Sequence, residues 1–218
     1  MIRVFVIDDH PLVRVGLTWV LETQKDLRVV GEADNGVSAL AGVARHRPDV
    51  VICDYHLPNW DGLEVTRRLL EEQPDLKILI VSVVEGGPVP RRLLAAGAMG
   101  YVSKARDGSA VVRAVREVAA GRRYLDDALG ARMLFETTPF DQLSSRQLEV
   151  ALLMVQGKRN AEIALDLDLT ESTIRTVRAK VMAKLGVQTD IALARLAMDC
   201  GLIPPAGDGG VFRSNRSG

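Results

Sequence analysis

Two periodicities alternate along residues 1–120. Short runs rich in β-branched residues, typical of buried strands, occur at 2–7, 28–33, 49–54, 77–82 and 99–103. Between them, apolar residues recur at three- and four-residue steps, which predicts helices over Pro11–Gln24, Val37–His46, Leu63–Glu72, Pro90–Ala96 and Ser109–Ala119. Strands that alternate with helices predict a parallel sheet covered on both faces. We therefore predict a flavodoxin-like α/β domain, with a doubly wound sheet of five strands in the order 2-1-3-4-5.

The pattern changes after residue 120. Residues 121–142 are interpreted as an interdomain linker containing a short helix over Asp126–Phe135. Residues 143–203 show only helical periodicity, which predicts a small all-α domain. Its helices are expected over Ser145–Gln156, Ala161–Leu167, Glu171–Leu185 and Asp190–Cys200, with N-caps at Ser144, Asn160, Thr170 and Thr189 and stops at Gly157, Gly186 and Gly201. Residues 204–218, rich in Gly, Pro and Ser, are predicted to be disordered.

Composition narrows the class of protein. The chain has 218 residues, a formal net charge of zero and two cysteines, Cys53 and Cys200. Zero net charge gives no overall attraction to nucleic acid or membrane, and two distant cysteines do not form a disulfide framework. Neither a signal peptide nor a membrane-spanning run is recognisable. We therefore expect a reduced, cytoplasmic protein that has no membrane partner.

Chemically useful residues stand at the ends of four predicted strands. Asp8 and Asp9 follow the first strand, Asp54 ends the third, Ser82 ends the fourth and Lys104 follows the fifth. The carboxyl ends of parallel strands meet at one edge, so these side chains are predicted to share a pocket. Clustered carboxylates repel one another, and a divalent cation relieves the repulsion. Hard oxygen ligands favour Mg²⁺, so Asp8, Asp9 and Asp54 are the predicted metal ligands.

The same pocket suits phosphoryl transfer. A carboxylate such as Asp54 can attack phosphorus to give an acyl phosphate, while Mg²⁺, Lys104 and the Ser82 hydroxyl stabilise the phosphoryl oxygens. Taken alone, the acidic pair at residues 8 and 9 reads as a solvated strand end, and only the combination of four strand ends favours a site. His10 and His56 are interpreted as non-ligands, because imidazole matches Mg²⁺ poorly.

Residues 1–120 resemble the receiver domain of two-component response regulators. The matching residues are Asp8, Asp9, Asp54, Pro58, Asp61, Gly62, Ser82, Tyr101 and Lys104. The resemblance implies that Asp54 accepts a phosphoryl group from a sensor histidine kinase or phosphotransfer protein. It also implies that Ser82 and Tyr101 form a switch pair in which the aromatic ring turns inward. A half-buried strand aromatic is an equal alternative for Tyr101. Val83 stands where many receivers have a small residue, which could narrow access to the phosphoryl group.

One helix of the second domain has an uneven charge distribution. Basic and acidic residues balance over residues 141–203, but the segment from Ser172 to Gln188 has no acid and carries Arg175, Arg178, Lys180 and Lys184. Ile174, Val177, Val181 and Leu185 give the same helix an apolar back. Such a helix suits a DNA major groove, and the short helix before it completes a helix-turn-helix pattern. An ordinary solvated amphipathic helix is the alternative.

The segment from Leu143 to Val187 resembles the LuxR-type helix-turn-helix. It matches at Leu143, Ser144, Arg146, Glu149, Val150, Gly157, Asn160, Glu162, Ile163, Ala164, Leu167, Thr173, Ile174, Lys184, Leu185, Gly186 and Val187, and departs at Ala161 and Val177. The resemblance implies base contacts by Arg175, Thr176 and Ala179. It implies phosphate contacts by Lys158, Thr173, Arg178, Lys180 and Lys184. Both halves together resemble response regulators of the NarL/FixJ type, and the linker sequence TPFDQLS is similar to the GacA/UvrY group.

The leading hypothesis is a phosphorylation-switched transcription factor. Without phosphate, the receiver is expected to cover or misplace the recognition helix. Phosphorylation would release it and permit a homodimer, contacting through the Ala- and Leu-rich last helix, to bind an inverted repeat in double-stranded DNA. Simple core packing is the alternative for that helix. A Mg²⁺-dependent phosphohydrolase is a second hypothesis, disfavoured because His56 stands where such enzymes need an aspartate. A receiver that signals by partner contact without phosphate is the third.

Overall fold

The computed structural model describes residues 1–58, 60–126, 130 and 137–203. Its first part is a parallel sheet in the order β2-β1-β3-β4-β5-β6. The strands are β1 (Ile2–Ile7), β2 (Leu27–Ala33), β3 (Val50–Cys53), β4 (Lys77–Ser82), β5 (Gly100–Ser103) and β6 (Tyr124–Leu125). β3 and β5 are buried on both faces, which explains their continuous apolar sequences. The predicted α/β class and the order of the first five strands are confirmed.

The sixth strand corrects the predicted number of five. Tyr124 N donates to Met99 O at 3.0 Å, and Tyr124 and Leu125 pair in parallel with Gly100 and Tyr101. Two residues are too few to show a period, so the hydrophobic pattern could not separate this strand from the linker.

Five helices cover the two faces of the sheet. They are α1 (Pro11–Glu22), α2 (Gly36–His46), α3 (Gly62–Glu72), α4 (Val89–Ala95) and α5 (Gly108–Ala119). Alternate residues of β1 serve the two faces, because Val4 and Val6 pack with α1 and α5 while Phe5 and Ile7 pack on the side of α2, α3 and α4. The second of these apolar clusters continues into the helical part of the chain.

The C-terminal part is helical. A 3₁₀ helix (Pro139–Gln142) precedes α6 (Ser145–Val155), α7 (Asn160–Asp166), α8 (Glu171–Leu185) and α9 (Asp190–Asp199). Side chains of Ser144, Thr170 and Thr189 cap three helices as predicted. The stops Gly157, Gly186 and Gly201 all adopt positive φ, which favours glycine.

The predicted N-cap at Asn160 is wrong. α7 begins at Asn160, and Arg159 occupies the N-cap position, where its backbone N–H donates to the Glu162 carboxylate at 2.7 Å. The Asn160 side chain instead accepts a hydrogen bond from Arg178 on α8. A tertiary contact therefore replaced the local cap that the sequence suggested.

The two parts dock through the loop after β4, through α4 and through the 3₁₀ helix. Glu85 N donates to Gly201 O at 3.0 Å, just beyond the end of α9. On α4, Arg91 pairs with Asp141, and Arg92 donates to Leu143 O. The segment that follows Ser82 in the chain therefore holds the helical domain.

Two predictions concern residues beyond this description. The linker helix expected over Asp126–Phe135 lies outside the described residues, apart from Asp126 and Gly130, and so does the tail 204–218. Within the described part of the chain, no helix has the length and apolarity needed to cross a membrane.

Candidate functional site: an acidic pocket facing a helix-turn-helix domain

Three neighbouring strands bring the predicted acids together. Asp54 N donates to Ile7 O at 2.9 Å, which extends the pairing of β3 with β1 by one residue. Asp8 N donates in turn to Ala33 O, the last residue of β2. The carboxylates thus follow the central strands where their backbones are still fixed by the sheet. Ligand atoms of Asp8, Asp9, His10 and Asp54 all lie within 4.8 Å of one another.

Lys104 lies between two of these acids. Its Nζ is 2.6 Å from an oxygen of Asp8 and 2.6 Å from an oxygen of Asp54, and all three side chains are buried. The remaining oxygen of Asp54 accepts from Tyr55 N at 2.6 Å, and that of Asp8 accepts from His10 N at 2.9 Å. These bonds fix the direction of both carboxylates.

Burial controls the acid–base behaviour of the pocket. It raises the pKa of Asp54 above its ordinary value, because the opposing attraction of Lys104 does not offset the loss of solvation. Burial and repulsion from Asp54 likewise raise the pKa of Asp8. Burial also disfavours the charged Lys104, but the attraction of Asp54 and Asp8 outweighs it and raises that pKa. The carboxylates therefore lack enough positive charge around them.

The donor set fits a hard divalent cation. Asp8, Asp9 and Asp54 supply carboxylate oxygens that lie within 4.8 Å of one another. Burial and repulsion between carboxylates raise the pKa of Asp8 and Asp54, and a cation there would relieve that repulsion. Asp9 is partly exposed and pairs with the His10 Nδ1 at 2.6 Å. His10, interpreted from the sequence as a non-ligand, therefore has a ring nitrogen within the cluster, beside the Asp9 carboxylate.

Ser82 and Tyr101 lie side by side in the interior. Ser82 is fully buried, and its Oγ accepts from Val84 N at 3.4 Å and hydrogen-bonds the Tyr101 hydroxyl. The Tyr101 ring is also fully buried, and its hydroxyl donates to Val84 O at 2.5 Å. The half-buried alternative for Tyr101 is thus wrong. The ring already occupies the inward position, because the Val84 carbonyl provides a partner for its hydroxyl there.

A cavity of about 510 Å³ opens above Asp54 and has walls from both domains. Asp9, Asp54 and Lys104 form its polar floor, while the helical domain contributes Glu149, Leu152, Leu153, Gln156, Lys158, Asp166 and Leu167. Sequence reasoning missed this second wall, because no local pattern shows which helices dock on the receiver. Val83 also lines the cavity, where its side chain is positioned to narrow access to Asp54.

His56 also lines this cavity. Burial, followed by the nearby Lys104, lowers the pKa of His56 to about 4, so the imidazole is neutral at neutral pH. Its Nε2 is buried and has no hydrogen-bond partner among the described residues. Two residues after Asp54, the sequence therefore places a neutral base beside the pocket.

α8 presents the face that the sequence predicted for DNA. Ile174, Val181 and Leu185 are buried and Val177 is half-buried, whereas Thr173, Arg175, Thr176, Ala179 and Lys180 are exposed. Of the two expected modes of inhibition, covering and misplacing the recognition helix, covering is wrong for this conformation, because this face is exposed. The receiver docks instead through the loop after β4, which binds the end of α9, and through α4, which binds the 3₁₀ helix and Leu143. Across the shared cavity it faces α6 and α7.

Three of the predicted phosphate-binding cations have partners within the protein. Lys158 contacts Asp166 at 2.6 Å in the interdomain cavity, away from the exposed face of α8. Lys184 donates to Gln142 O at 3.0 Å and to Gln147 Oε1 at 2.8 Å. Arg178 contacts Asp190 and Asn160. Lys184 thus ties the end of α8 to the 3₁₀ helix.

Comparison with known proteins agrees with both halves of the chain. Residues 4–116 match the response regulator receiver domain, and residues 141–197 match the bacterial regulatory proteins of the luxR family. Response regulator GacA of Pseudomonas aeruginosa is 38% identical over 213 residues, covering 94% of this chain and 100% of that protein. Response regulator UvrY of Escherichia coli K12 is 35% identical over 209 residues, covering 93% and 96%.

Solved structures show the same two-part architecture. RcsB from Salmonella enterica serovar Typhimurium, bound to promoter rprA with the phosphomimetic BeF₃⁻, is similar with a TM-score of 0.73 and 26% identity. The match covers 90% of this chain and 98% of that one. RcsB of Salmonella typhimurium in another crystal structure gives a TM-score of 0.78 at 25% identity, covering 92% and 98%. With its receiver, its LuxR-type DNA-binding domain and these full-length relatives, the chain belongs to the NarL/FixJ-type response regulators.

Proposed function

We propose that Asp54 is the phosphoacceptor and that its phosphorylation controls DNA binding by α8. The observation that carries this proposal is the position of Asp54, which shares one pocket with Asp8, Asp9 and Lys104 below a wall formed by the DNA-binding domain. The donor is a sensor histidine kinase or phosphotransfer protein, as for the family.

In the proposed reaction, an oxygen of Asp54 attacks the phosphorus of a phosphohistidine. The phosphorus–nitrogen bond breaks, the imidazole keeps the electron pair, and an acyl phosphate forms on the carboxylate. Tyr55 N holds the second Asp54 oxygen and so orients the attacking one. Lys104 leaves its carboxylate partners to bind a phosphoryl oxygen. Asp8, Asp9 and Asp54 would hold Mg²⁺, which supplies further positive charge to the phosphoryl oxygens.

The switch is proposed to act through the segment after Ser82. A phosphoryl group would draw the Ser82 hydroxyl away from Val84 N and the Tyr101 hydroxyl. Val84 and Glu85 would then move, and Glu85 holds Gly201 beyond α9. Since α4 also holds the linker through Arg91 and Arg92, the same movement loosens several interdomain contacts together.

Release is proposed to allow a homodimer to bind an inverted repeat in double-stranded DNA. Arg175, Thr176 and Ala179 of α8 would face base edges, and Thr173 and Lys180 would face phosphates, because all five are exposed on one helix. Lys158 and Lys184 become available for phosphates only after they leave their internal partners. On α9, the exposed Ile191 and Met198 form the proposed dimer contact.

The phosphorylated state is proposed to be transient. The cavity above Asp54 has room for water, and hydrolysis of the acyl phosphate would return the carboxylate and release inorganic phosphate. Purified phosphoprotein should lose its phosphate label slowly. Removal of Mg²⁺ under conditions that keep the protein folded should stop that loss.

Two measurements test the proposal. Intact mass should rise by one phosphoryl group after incubation with acetyl phosphate and Mg²⁺, and D54N should show no gain. Footprinting on genomic fragments should show protection that strengthens with beryllofluoride in wild type and not in D54N. An unmodified wild-type mass would favour signalling by partner contact alone. Equal footprints in both states would contradict phosphate control.

A further inference from the structure

The side chain of Arg178 joins three helices. It starts on α8, its Nη1 donates to the Asn160 side chain at 3.3 Å at the start of α7, and its Nη2 donates to both carboxylate oxygens of Asp190 at the start of α9. The Arg178 side chain is 28% exposed, against 71% for Arg175 on the same helix. Arg178 is therefore held within the domain, whereas Arg175 projects into solvent.

The backbone that carries Asp190 is fixed independently of Arg178. It occupies the first turn of α9, next to Thr189, whose hydroxyl accepts from Ala192 N at 3.1 Å and caps the helix. A carboxylate in a first helical turn is stabilised by the unpaired N–H groups there. The helix start therefore presents a carboxylate at this point, and a charge-assisted contact to it sets where the Arg178 guanidinium lies.

These two residues lie beside the proposed DNA surface. A shallow groove of about 340 Å³ runs between α8 and the start of α9, lined by Arg175, Arg178, Ala179, Met182, Gln188, Thr189 and Asp190. A DNA phosphate that approached Arg178 would compete with Asp190 for the Nη2 group, which already donates to both carboxylate oxygens. The phosphate would also lie near the Asp190 carboxylate, and repulsion between these two anions would weaken the contact between the phosphate and Arg178.

We propose that Arg178 is a positioning residue that fixes α8 against α7 and α9, instead of a phosphate ligand. This proposal rests on the proposed DNA-binding function. α9 carries the proposed dimer contact, and α8 carries the groups that face base edges. The contact between Arg178 and Asp190 therefore sets the angle between the helix that reads DNA and the helix that joins the two subunits. That angle determines whether both recognition helices reach successive half-sites.

The test uses full-length protein with beryllofluoride and Mg²⁺, and two duplexes. One duplex is recovered by selection from a random library with wild-type protein, and the other has the same composition in scrambled order. R178A and D190A should each weaken binding to the selected duplex about tenfold, and the double variant should bind no more weakly than either. Binding to the scrambled duplex and the salt dependence should stay unchanged. K180A, the matched control at an exposed α8 cation that is proposed to face a phosphate, should lower the slope of log affinity against log salt by about one.

Several results would overturn this role. If Arg178 contacted a phosphate, R178A would lower the slope of log affinity against log salt by about one on both duplexes. D190A would then bind as tightly as wild type or more tightly. R178K keeps the charge but lacks the fork needed to reach Asn160 and Asp190 together, so wild-type discrimination by R178K would also contradict the proposal. Failure of wild type to enrich any duplex would remove the proposed DNA-binding function, and this inference with it. Circular dichroism of every variant identifies loss of folding.

Discussion

At the scale of single residues, Lys104 determines the state of the acidic pocket. One ammonium serves two buried carboxylates, at 2.6 Å from each, and burial still raises the pKa of both Asp8 and Asp54. One positive charge is therefore not enough for the acids around it. The identity of these residues was predictable, because each follows a strand whose position in the sheet the pattern fixes. The bridging geometry was not, because it joins residues 50 positions apart.

Replacing Asp54 by Asn should stabilise the protein when metal is absent. The folded state raises the Asp54 pKa, so protonation favours folding at acid pH, and this contribution is lost as pH rises through the raised value. D54N removes the charge at pH 7 and keeps the shape. The unfolding temperature in EDTA should rise, by about 2–4 °C for each kcal/mol gained. Calorimetry should also show that Mg²⁺ raises the transition of wild type and not of D54N. A lower transition for D54N in EDTA contradicts this account.

Replacing Lys104 by Met should destabilise the fold. Methionine nearly matches the length of lysine but leaves two buried carboxylates without their cation, which costs about 3 kcal/mol. Mg²⁺ should recover part of that loss, because it neutralises the same oxygens. Urea denaturation with and without Mg²⁺ measures both effects. K25M, at an exposed lysine, is the control and should change stability by less than about 0.5 kcal/mol. A loss in K104M that Mg²⁺ leaves untouched would argue against a shared metal site.

At the scale of helices and strands, the sequence was informative wherever burial imposed a period. β3 and β5 were recognisable because both of their faces are buried, and α8 because its apolar back contrasts with its polar front. The short β6 and the start of α7 were not recognisable from the sequence. β6 forms by pairing with β5, and the Asn160 side chain at the start of α7 contacts Arg178 instead of capping the helix. The docking of α6 and α7 on the receiver also depends on contacts between distant segments, which leave no local periodicity.

Gly86 should be essential to this docking. A Cβ atom there would overlap the carbonyl oxygen of Cys200 at the end of α9, and that backbone is held by Glu85. G86A should therefore separate the domains, seen as a larger radius of gyration and faster proteolysis between residues 121 and 142. G16A is the control, because Gly16 lies within α1, away from the interdomain contacts, and its replacement favours the helix. A compact, protease-resistant G86A would show that the loop adapts.

At the scale of the whole molecule, the docked arrangement leaves α9, the helix of the proposed dimer contact, partly accessible. Ile191 on α9 is 83% exposed, although the loop after β4 binds the end of the same helix. Exposed apolar residues on a helix that another domain restrains are suited to a contact that forms after release. Control of assembly, instead of coverage of α8, is the regulation that this conformation favours.

Beryllofluoride with Mg²⁺ should convert wild-type monomer to dimer, and I191E should block that conversion. A buried like-charge pair at the two-fold contact would repel and lose solvation. Analytical ultracentrifugation at several concentrations measures the effect. V15E is the matched control, since Val15 is also an exposed apolar residue but lies on α1. Loss of dimer in V15E with retention in I191E would move the contact to the receiver.

The shared cavity above Asp54 has a consequence for the choice of phosphoryl donor. A small acyl phosphate can diffuse through the opening while the protein is closed, but a histidine mounted on a bulky protein needs the second wall to swing aside. Under the proposed function, small phosphate donors and a partner kinase would therefore react with different populations of the same molecule. A kinase would modify only the molecules whose domains had already separated, so the rate of domain opening would limit the rate of phosphorylation by that kinase.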